Sequence, residues 1–116
     1  MSYPYVHIVN STPYNGQGKV EYASSLCSDD DYKINAHGHW TADSRGVCLV
    51  TKISAKMDVF GTTYDAKPYT SSPGTSYSQF LIAQVGDNEF VVTRIVSSAE
   101  ANDTPADYVA PTTKQK

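Results

Sequence analysis

The residues with the most chemical potential are His37-Gly38-His39-Trp40, with Cys27 and Cys48 on either side of them in sequence. On an extended segment an H-x-H pair sends both imidazoles to one side, which is half of a zinc or copper site. Two cysteines would complete a Cys₂His₂ set. Zinc modules, however, bring their cysteines close together in sequence, and these four ligands are scattered. A polar loop with two exposed histidines and one packed tryptophan accounts for the same residues more simply. The run Asp29-Asp30-Asp31 offers oxygen ligands for calcium, but without the alternating spacing and distal glutamate of a calcium loop it reads as a solvated turn. No metal and no cofactor is therefore expected. Cys27 or Cys48 could meet His7, His37 or His39 as a nucleophile–base pair only through the fold. The chain carries no G-x-S-x-G, P-loop or dinucleotide fingerprint. A non-enzymatic protein is the expectation, with a small metalloprotein at His37 and His39 as a lesser alternative.

A second set of residues is aromatic and hydroxylic. Tyr64, Tyr69, Tyr77 and Phe80 surround Thr70–Thr75, and Trp40 follows Tyr32. Rings stack on the C–H faces of sugars or on a quaternary ammonium, and nearby hydroxyls and amides fix the orientation. Tyr32, Trp40, Tyr64, Tyr69 and Tyr77 are the candidate ligand-binding residues. Tyr69 and Tyr77 flank a polar turn, so turn closure would place them on neighbouring strands as one surface patch. The plainer account is that tyrosine is a good strand former on half-exposed faces.

Composition narrows the classes. Nine tyrosines stand against three phenylalanines, and charged residues make up only 18%. The formal net charge of −3 gives no support to nucleic-acid binding. No apolar run approaches the roughly 20 residues of a membrane span. The N-terminus shows no basic region followed by an apolar one, so no signal peptide of that kind is visible. A soluble protein is expected, cytoplasmic or exported by another route. Without an export signal, Cys27 and Cys48 are expected to be free buried thiols. If bonded, they would close a loop of about 22 residues, worth about 3 kcal/mol.

The elements that must position these groups are strands. The strongest signal is a hairpin, Ser76–Val85 and Glu89–Val96, around Gly86-Asp87-Asn88. Strict alternation puts Tyr77, Gln79 and Leu81 on one face and Phe80 and Ile82 on the other. Phe80, Ile82, Val91 and Ile95 are assigned to the core, which leaves Tyr77 on the outer face. Tyr5–Asn10 and Lys19–Ser24 read as a further hairpin, with Asn15-Gly16-Gln17-Gly18 as turn. Tyr32–Asn35, Val47–Met57 and Thr62–Tyr69 are strands, Ala36–Gly46 is a loop, and Thr70–Thr75 is a tight turn. The fold class is all-β: an antiparallel two-sheet β-sandwich of about seven strands. Residues 1–96 form the domain. Residues 97–116, which lose the alternation and hold Pro105 and Pro111, form a flexible or loosely docked tail. The expected core is Val6, Ile8, Val20, Tyr22, Ile34, Leu49, Ile53, Phe80, Ile82, Val91 and Ile95.

The order of segments resembles a known group. Val9-Asn10-Ser11-Thr12-Pro13-Tyr14-Asn15 precedes Lys19–Ser24. Later come Asp58-Val59-Phe60-Gly61 and then Thr70-Ser71-Ser72-Pro73-Gly74-Thr75, leading into a long hairpin. This order is similar to the thermostable direct haemolysin group, whose β-sandwich is like those of actinoporins and fungal fruit-body lectins. The resemblance implies a lectin-like or lipid-headgroup-binding sandwich of a toxin or virulence kind, with no catalytic residues. The expected function is recognition of a glycan, a membrane headgroup or a protein surface. The alternative is a structural, self-assembling protein acting through homo-oligomer contacts.

Overall fold

Alternation along the chain resolves into nine strands and no helix among the described residues. The structure, a computed structural model, describes residues 2–95. The tail expected over 97–116 lies outside them. The strands are β1 (His7–Asn10), β2 (Asn15–Tyr22), β3 (Asp30–Ile34), β4 (His39–Thr41), β5 (Val50–Val59), β6 (Thr62–Asp65), β7 (Tyr69–Thr75), β8 (Gln79–Gly86) and β9 (Glu89–Arg94). They form two packed sheets. One has the order β4-β1-β8-β9; the other runs β3-β2-β5-β6, with β7 also paired to β5.

The fold is thus an all-β, two-sheet sandwich. All strand pairs are antiparallel except β1 with β8, which run parallel. β1 and β2 are not a hairpin, because they lie in different sheets. The loop between them is built on Asn10, which is fully buried. Its Nδ2 donates to the carbonyls of Tyr14 (2.7 Å) and Asn35 (3.0 Å), and its Oδ1 accepts from the Thr12 amide and hydroxyl.

The core lies between the sheets. Val6, Ile8, Phe80 and Ile82 face Val20, Ile34, Ile53 and Met57, all buried. Tyr22, Leu49, Val91 and Ile95 are only half-buried, against expectation. On β9 the inward residues are Phe90 and Val92. Cross-strand partners share a face, and Val92 is paired to Ile82, so Val91 must point outward. The β8–β9 turn explains the slip. Gly86 belongs to the strand and pairs with Glu89, which leaves a two-residue turn at Asp87-Asn88, with Asn88 at φ 56°. An irregularity between Gln84 and Gly86 shifts the register there.

Two further segments differ from expectation. Residues 15–18 are the first half of β2, not a turn. A Cβ at Gly18 would overlap the Ser54 carbonyl oxygen and stand 2.7 Å from the Tyr32 hydroxyl, so this glycine serves close approach. Residues 70–75 are not a tight turn but most of β7. Tyr69 and Thr70 pair with Ile53 and Lys52, Thr75 pairs with Val50, and the intervening residues are extruded from the ladder.

Cys27 and Cys48 are joined by a disulfide, with Cα atoms 6.1 Å apart. This corrects the expectation of free thiols. The loops after β2 and before β5 meet at one end of the sandwich, where the Ala23 amide donates to the Leu49 carbonyl (2.8 Å). Beside the disulfide, Arg45 is 5% exposed. Its guanidinium donates to the carbonyls of Cys48 (2.9 Å), Pro4 (3.0 Å), Tyr77 (2.9 Å) and Thr75 (2.8 Å). Replacing Arg45 with Met keeps the stem but removes the donor from the part-buried Pro4 and Cys48 carbonyls and leaves the buried Thr75 and Tyr77 carbonyls unsatisfied, at about 1–3 kcal/mol for each buried one before relaxation. The expected outcome is a loss of at least about 3 kcal/mol in denaturant unfolding. Reducing the disulfide is expected to cost about 3 kcal/mol, read as a fall in Tm. An unchanged midpoint in either experiment would remove that group from the framework.

Candidate functional site

Burial decides the fate of the five candidate residues. Tyr32 is 3% exposed and Tyr77 is 4% exposed. Tyr77 was expected on the outer face, and this placement is corrected. It precedes β8, in the crossing from one sheet to the other, where Ser76, Tyr77 and Ser78 are all buried. Period-2 extrapolation from β8 does not hold through a crossing. The Arg94 guanidinium sits 3.1 Å from the centre of the Tyr77 ring. Tyr69 is half-buried, with its ring edge-on to Phe80 at 4.9 Å, so it packs between the sheets. Tyr64 pairs with Met57 on β6, at the opposite edge of its sheet from β3.

Tyr32 and Trp40 do come together. Their rings lie 5.2 Å apart and bridge β3 of one sheet to β4 of the other. Trp40 faces inward because it pairs with Ile8. The Tyr32 hydroxyl donates to the Ser54 carbonyl at 2.6 Å, passing the bare Cα of Gly18. Burial raises the pKa of Tyr32. It also raises that of Tyr22, helped by the hydrogen bond from its hydroxyl to Asp30 (2.7 Å). Both phenols therefore stay protonated at neutral pH and act as donors, not bases.

A surface groove was not among the features expected from sequence. A groove of about 610 Å³ runs over the outside of β3, β2 and β5. Its walls are the outward side chains of three strands, and the ladder register arranges them in cross-strand rows. Lys33, Gln17, Lys56 and Asp65 form one row. Asp31, Lys19 and Ser54 form the next, about 7 Å along the strands. Glu21 and Lys52 form a third. Lys56 contacts Asp65 at 2.8 Å and Lys19 contacts Asp31 at 4.0 Å. Both pairs are exposed, and such pairs contribute about 1 kcal/mol or less. The sequence carried a signal for this surface: polar and charged residues alternate with apolar or small ones through residues 15–21, 31–34 and 53–59. It was not legible as one surface, because residues 15–18 were expected as turn and Asp31 as part of a solvated turn.

The histidines are rearranged. His37 lies in a turn at φ 55°, and its amide donates to the Thr12 carbonyl (3.0 Å). His39 instead faces His7, with ring centres 5.2 Å apart. Burial, and then the neighbouring His39, lower the pKa of His7. Cys27 and Cys48 are spent in their disulfide, which removes the Cys₂His₂ set and the cysteine–histidine pair. No group of three or more His, Cys, Asp or Glu gathers as a metal cluster among the described residues. No helix among them is long and apolar enough to cross a membrane.

The site stands on an all-β sandwich, and comparison places it no more closely. Neither family models, curated proteins nor solved structures gave a match.

The Tyr32 bridge yields a test. Tyr32→Phe keeps the ring contact and removes one hydrogen bond, so a loss of about 1–1.5 kcal/mol is expected. Gly18→Ala should cost more, because the new methyl meets the Ser54 backbone and not a flexible side chain. Equal stability of Gly18→Ala and the parent in urea titration would contradict the close approach.

Proposed function

We propose that the protein is a non-enzymatic recognition module that binds an acidic glycan along the groove over β3, β2 and β5. The carrying observation is the row Lys33–Gln17–Lys56, two ammonium groups on either side of an amide. A sugar carboxylate or sulfate can accept from the lysines, and Gln17 and Ser54 can serve ring hydroxyls. Charge-assisted hydrogen bonds contribute about 1.5–3 kcal/mol. That exceeds the worth of the exposed pairs they would disturb. Strands on a packed core hold the row rigid, which favours a flat polymeric or branched ligand over a small one. The disulfide fits an oxidising compartment, where such glycans are displayed. The resemblance to the haemolysin and lectin group supports recognition as well, with lipid headgroups as the competing ligand.

Self-assembly is a second reading, favoured by Phe60. This residue is 93% exposed at the β5–β6 turn and held at φ 51°, where a bulky side chain is strained. Sedimentation equilibrium would expose it: a parent dimer that becomes monomeric on Phe60→Asn transfers the main function to homo-oligomer contacts.

The primary test is an array of acidic and neutral glycans, with vesicles of zwitterionic and anionic lipid alongside. Retention on carboxylated or sulfated glycans is expected, weakening with salt. The double change Lys33→Ala/Lys56→Ala should reduce it at least tenfold with the Tm nearly unchanged. Unaltered binding in that variant, or binding confined to vesicles, would refute the groove assignment.

A further inference from the structure

We propose that His7 and His39 form an open, two-imidazole site for a divalent transition cation on the outer face of the β4-β1-β8-β9 sheet, with Cu²⁺ as its tightest occupant. The register creates the pair. His7 is opposite Thr41 and His39 is opposite Val9, so the two histidines are diagonal neighbours on adjacent strands. Their side chains share the face opposite to buried Ile8. The ring centres are 5.2 Å apart with planes tilted by 37°. Metal–nitrogen bonds of about 2 Å set two ligating nitrogens about 3 Å apart, a span these rings can cover from where they stand.

A second contact orients the site. The Nδ1 of His7 is 2.6 Å from the Thr41 hydroxyl. When Nδ1–H donates to that oxygen, the lone pair lies on Nε2, at the outer end of the ring. Metal-binding histidines are commonly fixed in this way through their other nitrogen. No hydrogen bond to another described residue engages the His39 ring, so it can turn toward a shared ion at little cost. Strand placement makes the pair more rigid than a loop would.

Donor chemistry selects the ion. Two imidazoles suit copper, nickel and zinc, whereas calcium and magnesium require an oxygen cage. Thiolate cannot contribute, because both cysteines are bonded to each other. Among divalent ions the stability order then places Cu²⁺ first. Two protein ligands leave positions on the ion for water or for a donor from another molecule. The site is distinct from the H-x-H motif apparent in sequence, since His37 takes no part.

The test titrates Cu²⁺, Ni²⁺ and Zn²⁺ separately into the full chain, by calorimetry, with electron paramagnetic resonance of the copper form. One equivalent of Cu²⁺ should bind more tightly than the other two ions, with hyperfine structure from two nitrogens. His39→Ala and His7→Ala should each weaken binding at least tenfold. Thr41→Val should weaken it several-fold and His37→Ala should leave it unchanged. His39 is exposed on a short edge strand, so its variant remains informative even where His7→Ala disturbs folding. Undiminished copper binding in His39→Ala would place the ion elsewhere, such as the amino terminus, and overturn the proposal. So would a loss specific to His37→Ala, or no saturable binding at all.

Discussion

Much of this sandwich hangs on one buried guanidinium. When a chain passes from one sheet to the other, its carbonyls leave the ladders and need other donors. The crossing at residues 75–78 is buried, so solvent is a poor source of them. Arg45 supplies donors to Thr75 and Tyr77 in that crossing, to Pro4 just before β1, and to Cys48 in its own loop. Three distant segments are thereby fixed by one planar fork, whose geometry a lysine could not reproduce. The parallel β1–β8 pairing begins immediately beyond: the His7 amide donates to the Ser78 carbonyl at 2.7 Å. Tyr3 adds a second layer, with its ring 5.3 Å from the guanidinium and its amide bonded to Gly46. The disulfide holds the Arg45 loop from the other side.

This dependence explains what could be read from sequence. Alternation is a local property, so β1, β5, β8 and most of β9 were visible, and with them the buried Val6, Ile8, Ile53, Phe80 and Ile82. Sheet membership is not local. Nothing in the residues of β1 says that it pairs with β8 and not with β2. Arg45 falls in the Ala36–Gly46 stretch expected as a loop, because burial of a charge depends on carbonyls contributed from thirty and forty residues away. The disulfide was hidden for the same reason. β4 was read as loop because three residues between turns carry too little periodicity to register.

The tyrosines illustrate a further limit of composition. Their abundance suggested a recognition surface, yet Tyr32 and Tyr77 are buried, and Tyr64 and Tyr69 pack against the core. A small sandwich has few interior positions, and a buried tyrosine fills volume while its hydroxyl supplies a donor. Tyr32 shows the benefit. Its hydroxyl satisfies the Ser54 carbonyl, while the amide of Lys19 turns to the Ser54 side chain instead (3.2 Å). The aromatic residues thus organise the interior, and the polar chemistry available to a ligand falls to side chains on the opposite faces of the same strands.

Those outer faces differ in kind. Over β3, β2 and β5 lie rows of ammonium, carboxylate and amide groups. Over β1, β8 and β9 the outward residues Val9, Leu81, Ala83 and Val91 are half-buried and apolar, with His7 and His39 at one side. Both faces are carried by strands whose inward residues form one shared core. A substitution on either outer face leaves that core untouched, so effects on the two should be additive to within about 0.5 kcal/mol. The exception is a change that reaches through the sheet. Ser54 is such a point, since its side chain lines the groove while its carbonyl receives the buried Tyr32 hydroxyl. Ser54 is thus the residue at which the Tyr32–Trp40 bridge and the groove meet. Because Trp40 is flanked by His39 and Thr41 on β4, the same bridge connects the groove to the histidine face. A ring contact and one hydrogen bond are the links that join the two surfaces along this path.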